Sequence, residues 1–314
     1  MIIFLRHDEI DRLRWDDCIS RSCNRRIYAF TWYLDIVSPG WEALANDDYS
    51  AVFPLTRGEK AGISYVYQPF FAQQLGLFSV SSPDKDIATE FISRIPESFR
   101  YIDIQVTPDF RPEAEGLVLS RRVNHELLLD KTYEEVAAGY SKNTVRNIRK
   151  AAGQEVKSSE DVSPGELVKL FRENFGEKEG KLNRDHYSRM ENLIKSGLKQ
   201  RESSVYGAFD SKGGLSASAF FLRDGNRYYF LFAASAPAAR ENGAMFMLID
   251  SFIREHSGTQ SILDFEGGND PSLGRFYKSF GSHEVPYHRI SWNRLPVLLK
   301  AGLKLARSLR RNVK

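Results

Sequence analysis

The residues best suited to chemistry lie in one stretch, residues 261–282, which reads SILDFEGGNDPSLGRFYKSFGS. Asp264 and Glu266 occupy alternate positions of an apolar strand and therefore share one face. A Gly-Gly turn follows, and a short helix then carries Tyr277 and Lys278. Carboxylates at a strand end can orient or deprotonate an amine, and a phenol or ammonium can protonate a leaving group or stabilise an oxyanion. The alternative is that this helix packs into a core and the charges form a solvated edge.

A second candidate is the stretch 233–247, where a strand passes through a loop of small residues into a helix. Backbone N–H groups at a helix start carry partial positive charge and can hold a pyrophosphate or another anion. We expect Gly243 to let a ligand approach closely and Arg240 to add a positive charge. The other predicted binding residues of this loop are Asn242, Ala244 and Met245. The alternative is an ordinary strand–helix turn with a glycine near the N-cap.

A third candidate is a cationic helix that begins after Ser141 and ends at Gly153. Lys142, Arg146 and Lys150 recur every four residues, with Arg149 beside them. They form one face that suits phosphate or another anion. We predict that Lys142, Arg146 and Arg149 contact donor or acceptor phosphates. A solvated helix face is the alternative.

The chain ends in a basic segment. Residues 291–314 hold seven basic residues and no acidic ones, whereas the rest of the chain holds 37 basic and 41 acidic residues. From 294 to 314 the pattern predicts a basic amphipathic helix. Such a helix can lie on an anionic membrane surface, bind RNA phosphates, or dock on the first domain with its basic face in water.

An aromatic cluster marks the first third of the chain. It comprises Trp15, Tyr28, Phe30, Trp32, Tyr33, Trp41, Tyr65, Tyr67, Phe70 and Phe71, with the amides of Gln73 and Gln74. These side chains can line an acceptor pocket, but we favour a core, since aromatic residues dominate core burial.

The elements that position these residues follow one order in both halves of the chain: antiparallel strands, a helix, a buried strand and a further strand. In the second half the predicted elements are strands 204–209, 215–223 and 227–235, helix 243–256, strand 261–267 and helix 271–280. In the first half they are strands 50–56 and 62–70, joined by an RGEK turn, helix 83–95 and strand 101–106. Turn signals dominate residues 38–48. The sequence therefore predicts tandem α+β units with mixed, mostly antiparallel sheets.

The motifs resemble those of the GNAT acyltransferase superfamily. The run from Arg240 to Ala244 resembles the R/Q-x-x-G-x-G/A pyrophosphate loop, although Ala244 or Met245 must replace its second small residue. The helix from Tyr277 to Gly281 resembles the Y-x-x-x-G helix whose tyrosine protonates the leaving thiolate. The resemblance is closer still to the FemABX-like branch, which includes the acetyltransferase 6 proteins.

Two motifs carry the resemblance to that branch. A D-F-x-G turn precedes an F-K-x-x-F-G-type helix, and the matching lysine here would be Lys278. The stretch 140–151 resembles the S-x-x-x-R-x-x-I-R-K-A helix that opens the second domain of that branch. The resemblance implies GNAT-like domains at 1–130 and 131–293, followed by the basic helix at 294–314.

The resemblance also implies an activity: direct attack of an amine on the activated carbonyl of an acyl-CoA or an aminoacyl-tRNA. Tyr277 or Lys278 would serve the leaving group or the oxyanion, and Glu266 or Asp264 would orient or deprotonate the amine. The acceptor would be a cell-envelope precursor, and the basic helix suits peripheral membrane contact. A non-catalytic binding protein that keeps the fold is the alternative, and an RNA-binding module that uses the tail is a third.

Length and composition set the outer limits. At 314 residues with 42% apolar residues, the chain can fold as two domains with sizeable cores. No stretch of 18 uncharged apolar residues occurs, and the apolar start is too short for a secretory signal, which predicts a cytoplasmic protein, at the inner face of the membrane if the tail binds lipid. The six histidines show no spacing typical of a metal site, so we predict no metal.

Overall fold

The computed structural model describes residues 1–176, 182–200, 203–237 and 239–296, without the side chains of 175, 176 and 240. The predicted helix at 294–314 therefore lies almost wholly outside the described residues. The chain divides into two compact units. The first comprises Met1–Arg121 and the chain from Tyr287 onward, and the second comprises Arg122–Pro286.

Among its described residues, the first unit holds three α-helices, seven strands and the first part of an eighth strand. The helices are α1 (Arg12–Arg21), α2 (Thr31–Val37) and α3 (Lys85–Ser93). The strands are β1 (Ile2–Leu5), β2 (Glu42–Asn46), β3 (Ala51–Leu55), β4 (Arg57–Lys60), β5 (Ile63–Tyr67), β6 (Phe78–Ser79), β7 (Phe99–Val106) and the first part of β8 (Leu117–Leu128). Short 3-10 turns occur at His7–Glu9 and Ile27–Ala29.

The second unit continues β8 and alternates helices with strands. Its helices are α4 (Tyr133–Ala138), α5 (Lys142–Gly153), α6 (Pro164–Phe171), α7 (Arg184–Gln200), α8 (Ala239–Asn242), α9 (Ala244–His256) and α10 (Pro271–Lys278). Its strands are β9 (Lys157–Ser159), β10 (Ser204–Phe209), β11 (Leu215–Asp224), β12 (Arg227–Ser235), β13 (Ile262–Asp264) and the start of β14 (His283–Asn293), which continues into the first unit. A π-helical turn follows α6 at Arg172–Gly176.

Each unit contains one parallel strand pair within an otherwise antiparallel arrangement. In the first unit β1, β2, β3 and β6 form one sheet, and β5 pairs parallel with β7, which pairs antiparallel with β14. In the second unit the strand order is β8, β13, β12, β11, β10, β9, and β12 pairs parallel with β13. The predicted tandem α+β fold with mixed sheets is confirmed.

Several sequence expectations were wrong in detail. The RGEK segment is strand β4 rather than a turn, and the turn-rich stretch 38–48 contains β2. β8 begins at Leu117, and its first half alternates partly buried and exposed residues without a long apolar run. The predicted strand 261–267 ends at Asp264, where the chain turns.

Local signals located the helix starts of the second unit well. The side chains of Thr132 and Ser163 cap α4 and α6 in capping boxes with Glu135 and Glu166, and Ser141 caps α5. Several aromatic residues of the first unit form core, since Trp15, Tyr28 and Tyr33 are fully buried, whereas Phe70 is 47% exposed. None of the described helices is both long and apolar enough to span a membrane.

Candidate functional site

The parallel pair of the second unit opens at a defined point. β12 and β13 pair from Arg227–Ile262 to Tyr229–Asp264, after which β13 ends while β12 continues to Ser235. A bulge at Leu231 interrupts the pairing of β12 with β11 just beyond that point. We call the space beside β12 past Tyr229 the strand cleft. Bulges redirect the backbone and are frequent next to active sites, so this cleft is the first place to look for one.

A buried ionic network marks the last pair before the strand cleft. The Asp264 carboxylate accepts hydrogen bonds from Arg227 at 2.8 Å and from the Asn124 amide at 2.7 Å, and Arg227 also pairs with Glu126 at 2.7 Å. Asp264 is 1% exposed. Burial raises its pKa, and the Arg227 guanidinium opposes that shift. Two carboxylates thus share one guanidinium, and the Asp264 carboxylate is buried within the protein's own hydrogen bonds.

The turn after Asp264 is pinned by side chains of β8 and of β13 itself. Asp264 Oδ1 accepts the Glu266 N–H at 3.0 Å, and Asn124 Oδ1 accepts the Gly267 N–H at 2.9 Å. The His125 ring lies beneath Gly268, where an added Cβ would approach it to 2.6 Å. Glu266 adopts a left-handed backbone with φ +59°. Such strain in a non-glycine residue persists only where its surroundings impose it, and it clusters at functional sites.

Tyr277 faces this turn from α10. Its ring stacks on Phe265 with 4.8 Å between centroids, and it is 8% exposed. Burial raises the pKa of Tyr277 above its ordinary value, and the negative charge of Glu266 raises it further. Tyr277 therefore lies against the turn that carries Glu266: a Cβ added to Gly267 would be 3.4 Å from the Tyr277 ring.

Lys278 lies on a different side of α10. Consecutive helical residues are about 100° apart, so burial of Tyr277 turns the Lys278 side chain to solvent. The motif spacing agrees with this placement. Counted back from Phe280 and Gly281, the lysine position of F-K-x-x-F-G is occupied by Tyr277 rather than Lys278.

The predicted anion loop is occupied by the protein itself. The Gly243 N–H bonds to the carbonyl of Ala239 at 3.1 Å, and the Ala244 N–H bonds to Asn242 Oδ1 at 3.0 Å. Gly243 has φ +71°, and a Cβ there would lie 2.5 Å from the Asn147 carbonyl oxygen. The glycine thus allows helix α5, rather than a ligand, to approach. The Arg240 side chain lies outside the described structure, and Met245 is half-buried against the core.

Helix α5 connects the two predicted motif regions. At its start, Thr144 donates a hydrogen bond to the Ser279 carbonyl at 2.8 Å, and its middle contacts Gly243. Lys142, Arg146 and Arg149 are exposed, and Arg146 is oriented by a 2.7 Å hydrogen bond to Asn143. Among the residues that the structure describes, none of the three lies within ion-pair distance of a carboxylate, so their charge is available to an anionic partner.

An open cavity of about 400 Å³ lies at the other end of α5. It is lined by Gly153, Gln154, Glu155, Val156, Asp210, Ser211 and Asn242. Its ionisable side chains are acidic, which disfavours phosphate. Within the described ranges, no group of three or more histidine, cysteine or carboxylate side chains is arranged to hold a metal.

The sequence gives no signal for three residues near the turn, Asn124, His125 and Arg227. Asn124, His125 and Arg227 lie on two strands about 100 residues apart, and only sheet pairing brings Asn124 and Arg227 to Asp264. His125 accompanies them on the opposite face of β8, where its ring nitrogen Nδ1 lies 3.1 Å from the Ser282 hydroxyl, and burial lowers its pKa. Alternating polar residues on a strand are typical of a half-exposed face, which hides such a cluster.

The family relationship follows from the second unit. Residues 138–279 match the model of the acetyltransferase (GNAT) domain, and they include α5, the strand cleft, the pinned turn and Tyr277. The second unit is a GNAT acetyltransferase-family domain, and the chain has a FemABX-like tandem fold. No curated protein matches the chain by sequence.

Solved structures with the same fold cover both units. A crystal structure of FemX is 15% identical with a TM-score of 0.64 and covers 92% of this chain and 96% of its own. The C-terminal domain of a putative lysylphosphatidylglycerol synthetase from Agrobacterium fabrum is 12% identical with a TM-score of 0.55 and coverages of 95% and 96%. A tandem GNAT protein from the clavulanic acid biosynthesis pathway is 12% identical with a TM-score of 0.50 and coverages of 94% and 99%.

The contact between Gly243 and α5 predicts a steep stability effect. Gly243→Ala places a Cβ against the Asn147 carbonyl and forces alanine into a left-handed backbone, so we expect a loss of about 2 kcal/mol or more in the free energy of unfolding. Urea unfolding measures this. Gly153→Ala is the matched control, because nothing lies within 4 Å of its added Cβ, and it should not destabilise the chain. Equal stability of the two variants would contradict the contact.

Arg227 should be required for the stability of the folded chain because it neutralises two buried carboxylates. Arg227→Met leaves Asp264 and Glu126 without a counter-charge, and we expect a loss of about 3–5 kcal/mol near neutral pH. The pKa of Asp264 is raised in the folded state, so the folded chain binds this proton more tightly than the unfolded one. The loss should therefore shrink as the pH falls from about 7 to about 4.5.

The matched control is Arg21→Met, whose side chain and that of its partner Asp17 are both 57% exposed. It should cost less than about 1 kcal/mol. A pH-independent loss in Arg227→Met would argue against the charge explanation, and recovery in Arg227→Met with Asp264→Asn and Glu126→Gln would support it.

Proposed function

We propose that the second unit transfers an acyl or aminoacyl group from an activated donor to an amine. The observation that carries this proposal is the packing of the buried Tyr277 ring against the pinned turn that carries Glu266, at the end of the parallel strand pair. The fold of acyl-transferring relatives supports the general reaction.

The two side chains divide the proton transfers. The amine nitrogen attacks the carbonyl carbon of the donor, a C–N bond forms, and Glu266 takes the proton that the amine loses. The C–S or C–O bond to the leaving group breaks, and the Tyr277 hydroxyl supplies a proton to the departing sulfur or oxygen. The raised pKa of Tyr277 keeps this proton in place at physiological pH.

Asp264 has a different task in this proposal. Its carboxylate is already bonded to Arg227, Asn124 and the Glu266 N–H, so it acts through Glu266 as a positioning residue. Lys278, exposed on the far side of α10, is assigned no proton transfer.

We propose that donor phosphates contact Lys142, Arg146 and Arg149 on α5, whose charges are available. The loop residues Arg240, Asn242, Gly243, Ala244 and Met245 remain candidates for the pyrophosphate of an acyl-CoA. That role would require the Gly243 and Ala244 N–H groups to exchange their present acceptors. An aminoacyl-tRNA donor needs no such exchange.

We further propose an acceptor from the cell envelope, presented at the inner face of the membrane, where the basic residues of the tail favour an anionic surface. The structural similarity to a putative lysylphosphatidylglycerol synthetase supports this choice. The occupied loop amides favour a second candidate, a non-catalytic binding protein that keeps the fold.

Ligand-induced stabilisation separates these possibilities. We expect acetyl-CoA or aminoacylated tRNA to raise the melting temperature of the full chain, because a ligand that binds only the folded state stabilises it by mass action. Arg146→Gln with Arg149→Gln should weaken that ligand at least tenfold, and Lys212→Gln, an exposed lysine on a hairpin, is the control. Absence of a shift with either donor would favour the binding protein.

Tyr277 and Lys278 give a paired test of the chemistry. Tyr277→Phe should lower kcat about a hundredfold or more with little change in melting temperature, because it removes one hydroxyl. Lys278→Met should retain activity within about threefold. Turnover of the donor is measured against a panel of amines. The opposite ranking of the two variants would transfer the role to Lys278.

A further inference from the structure

The first unit contains a second copy of the strand arrangement that carries the site. There β5 and β7 pair in parallel, and the last pair is Tyr67–Asp103. The last pair in the second unit is Tyr229–Asp264, so the same two residue types end both ladders. Asp103 is also held by an arginine, because Arg289 donates to both of its carboxylate oxygens.

Beyond the Tyr67–Asp103 pair, the edge of β7 is covered by the first unit's own chain. Gln68, the residue after β5, turns its side chain toward β7, and its Oε1 accepts the Gln105 N–H at 2.7 Å. Leu75 then returns beside β7: its N–H bonds to the Gln105 carbonyl at 2.8 Å, and its carbonyl accepts the Thr107 N–H at 3.1 Å. Both backbone groups of Gln105 on this edge are therefore satisfied from within the unit.

The closing segment, residues 68–75, is packed as core. Leu75 is fully buried and forms a parallel bridge with Val106. The Gln68 amide N–H also donates to the Ala72 carbonyl, which closes the segment on itself. Gly76 approaches β7 so closely that an added Cβ would lie 3.0 Å from Val106.

The second unit differs at the same place. After Tyr229 the chain continues as β12 rather than turning back, and Leu231 and Ala233 are half-exposed along it. No counterpart of Gln68 or Leu75 occupies the edge there: in the described part of the second unit, backbone pairing with β13 stops at Tyr229.

We propose that the first unit takes no donor, because its copy of the strand cleft is permanently filled by its own segment 68–75, with Gln68 replacing a strand residue. The term donor in this proposal rests on the proposed transfer reaction, whereas the closure of the first unit does not depend on that reaction. It also separates the roles of the aspartates: an arginine-bound aspartate occurs where no donor enters, so this pair maintains the fold in both units.

Hydrogen exchange tests the closure without any donor. In Gln68→Ala the Gln105 amide loses its acceptor, and we expect its exchange to accelerate at least tenfold. The Ile104 amide, which points toward β14, should not change. Gln154→Ala, an exposed glutamine of the second unit, is the matched control. Unchanged exchange at Gln105 in Gln68→Ala would overturn the role of Gln68.

Donor stoichiometry tests the single site. Native mass spectrometry of the full chain with acetyl-CoA and with aminoacylated tRNA should show one donor per chain. Two donors per wild-type chain would overturn the proposal. If neither donor binds the wild type, the proposed reaction fails, and the exchange result alone decides the closure.

Discussion

The buried pair between Asp264 and Arg227 is the interaction on which the site depends. It lies at the last rung of the parallel ladder, and the same carboxylate that binds the guanidinium also fixes the Glu266 N–H. Strand pairing, turn conformation and the direction of the Glu266 side chain are thus set by one group. A carboxylate buried this deeply is stable only with its cation, so any change at Arg227 reaches the turn directly.

The first unit repeats the parallel strand pair, which there ends at Tyr67 and Asp103 with Arg289 bound to Asp103, but it has a covered edge. It keeps the tyrosine, the aspartate and the arginine, but a glutamine side chain and a returning segment take the place of the open edge. The comparison within one molecule separates residues that occur in both units from Glu266, whose place two residues after the aspartate is taken by Gln105 in the first unit. It also explains why a carboxylate that resembles a catalytic group in the sequence is a structural one.

The sequence predicted the parts of the site that local patterns encode. Strand, turn and helix at 261–282 follow from apolar runs, glycines and a proline at a helix start, and the capping residues located α4, α5 and α6. The tandem fold followed from the repeated order of elements. The sequence did not predict the features that depend on tertiary packing. Which of Tyr277 and Lys278 faces the core depends on how α10 lies on Phe265, and Gly243 serves a helix contact that no motif distinguishes from a ligand contact.

In the proposed reaction, folding and activity make different demands on Glu266. A left-handed backbone costs a non-glycine residue about 1 to 3 kcal/mol, and glycine would relieve that cost. Selection of this chain for heat resistance alone would therefore favour discarding Glu266, whereas selection for turnover would retain it. Variant libraries selected for thermal stability and libraries selected for turnover should therefore differ at position 266. The residue found there indicates which of the two selections a set of variants has undergone.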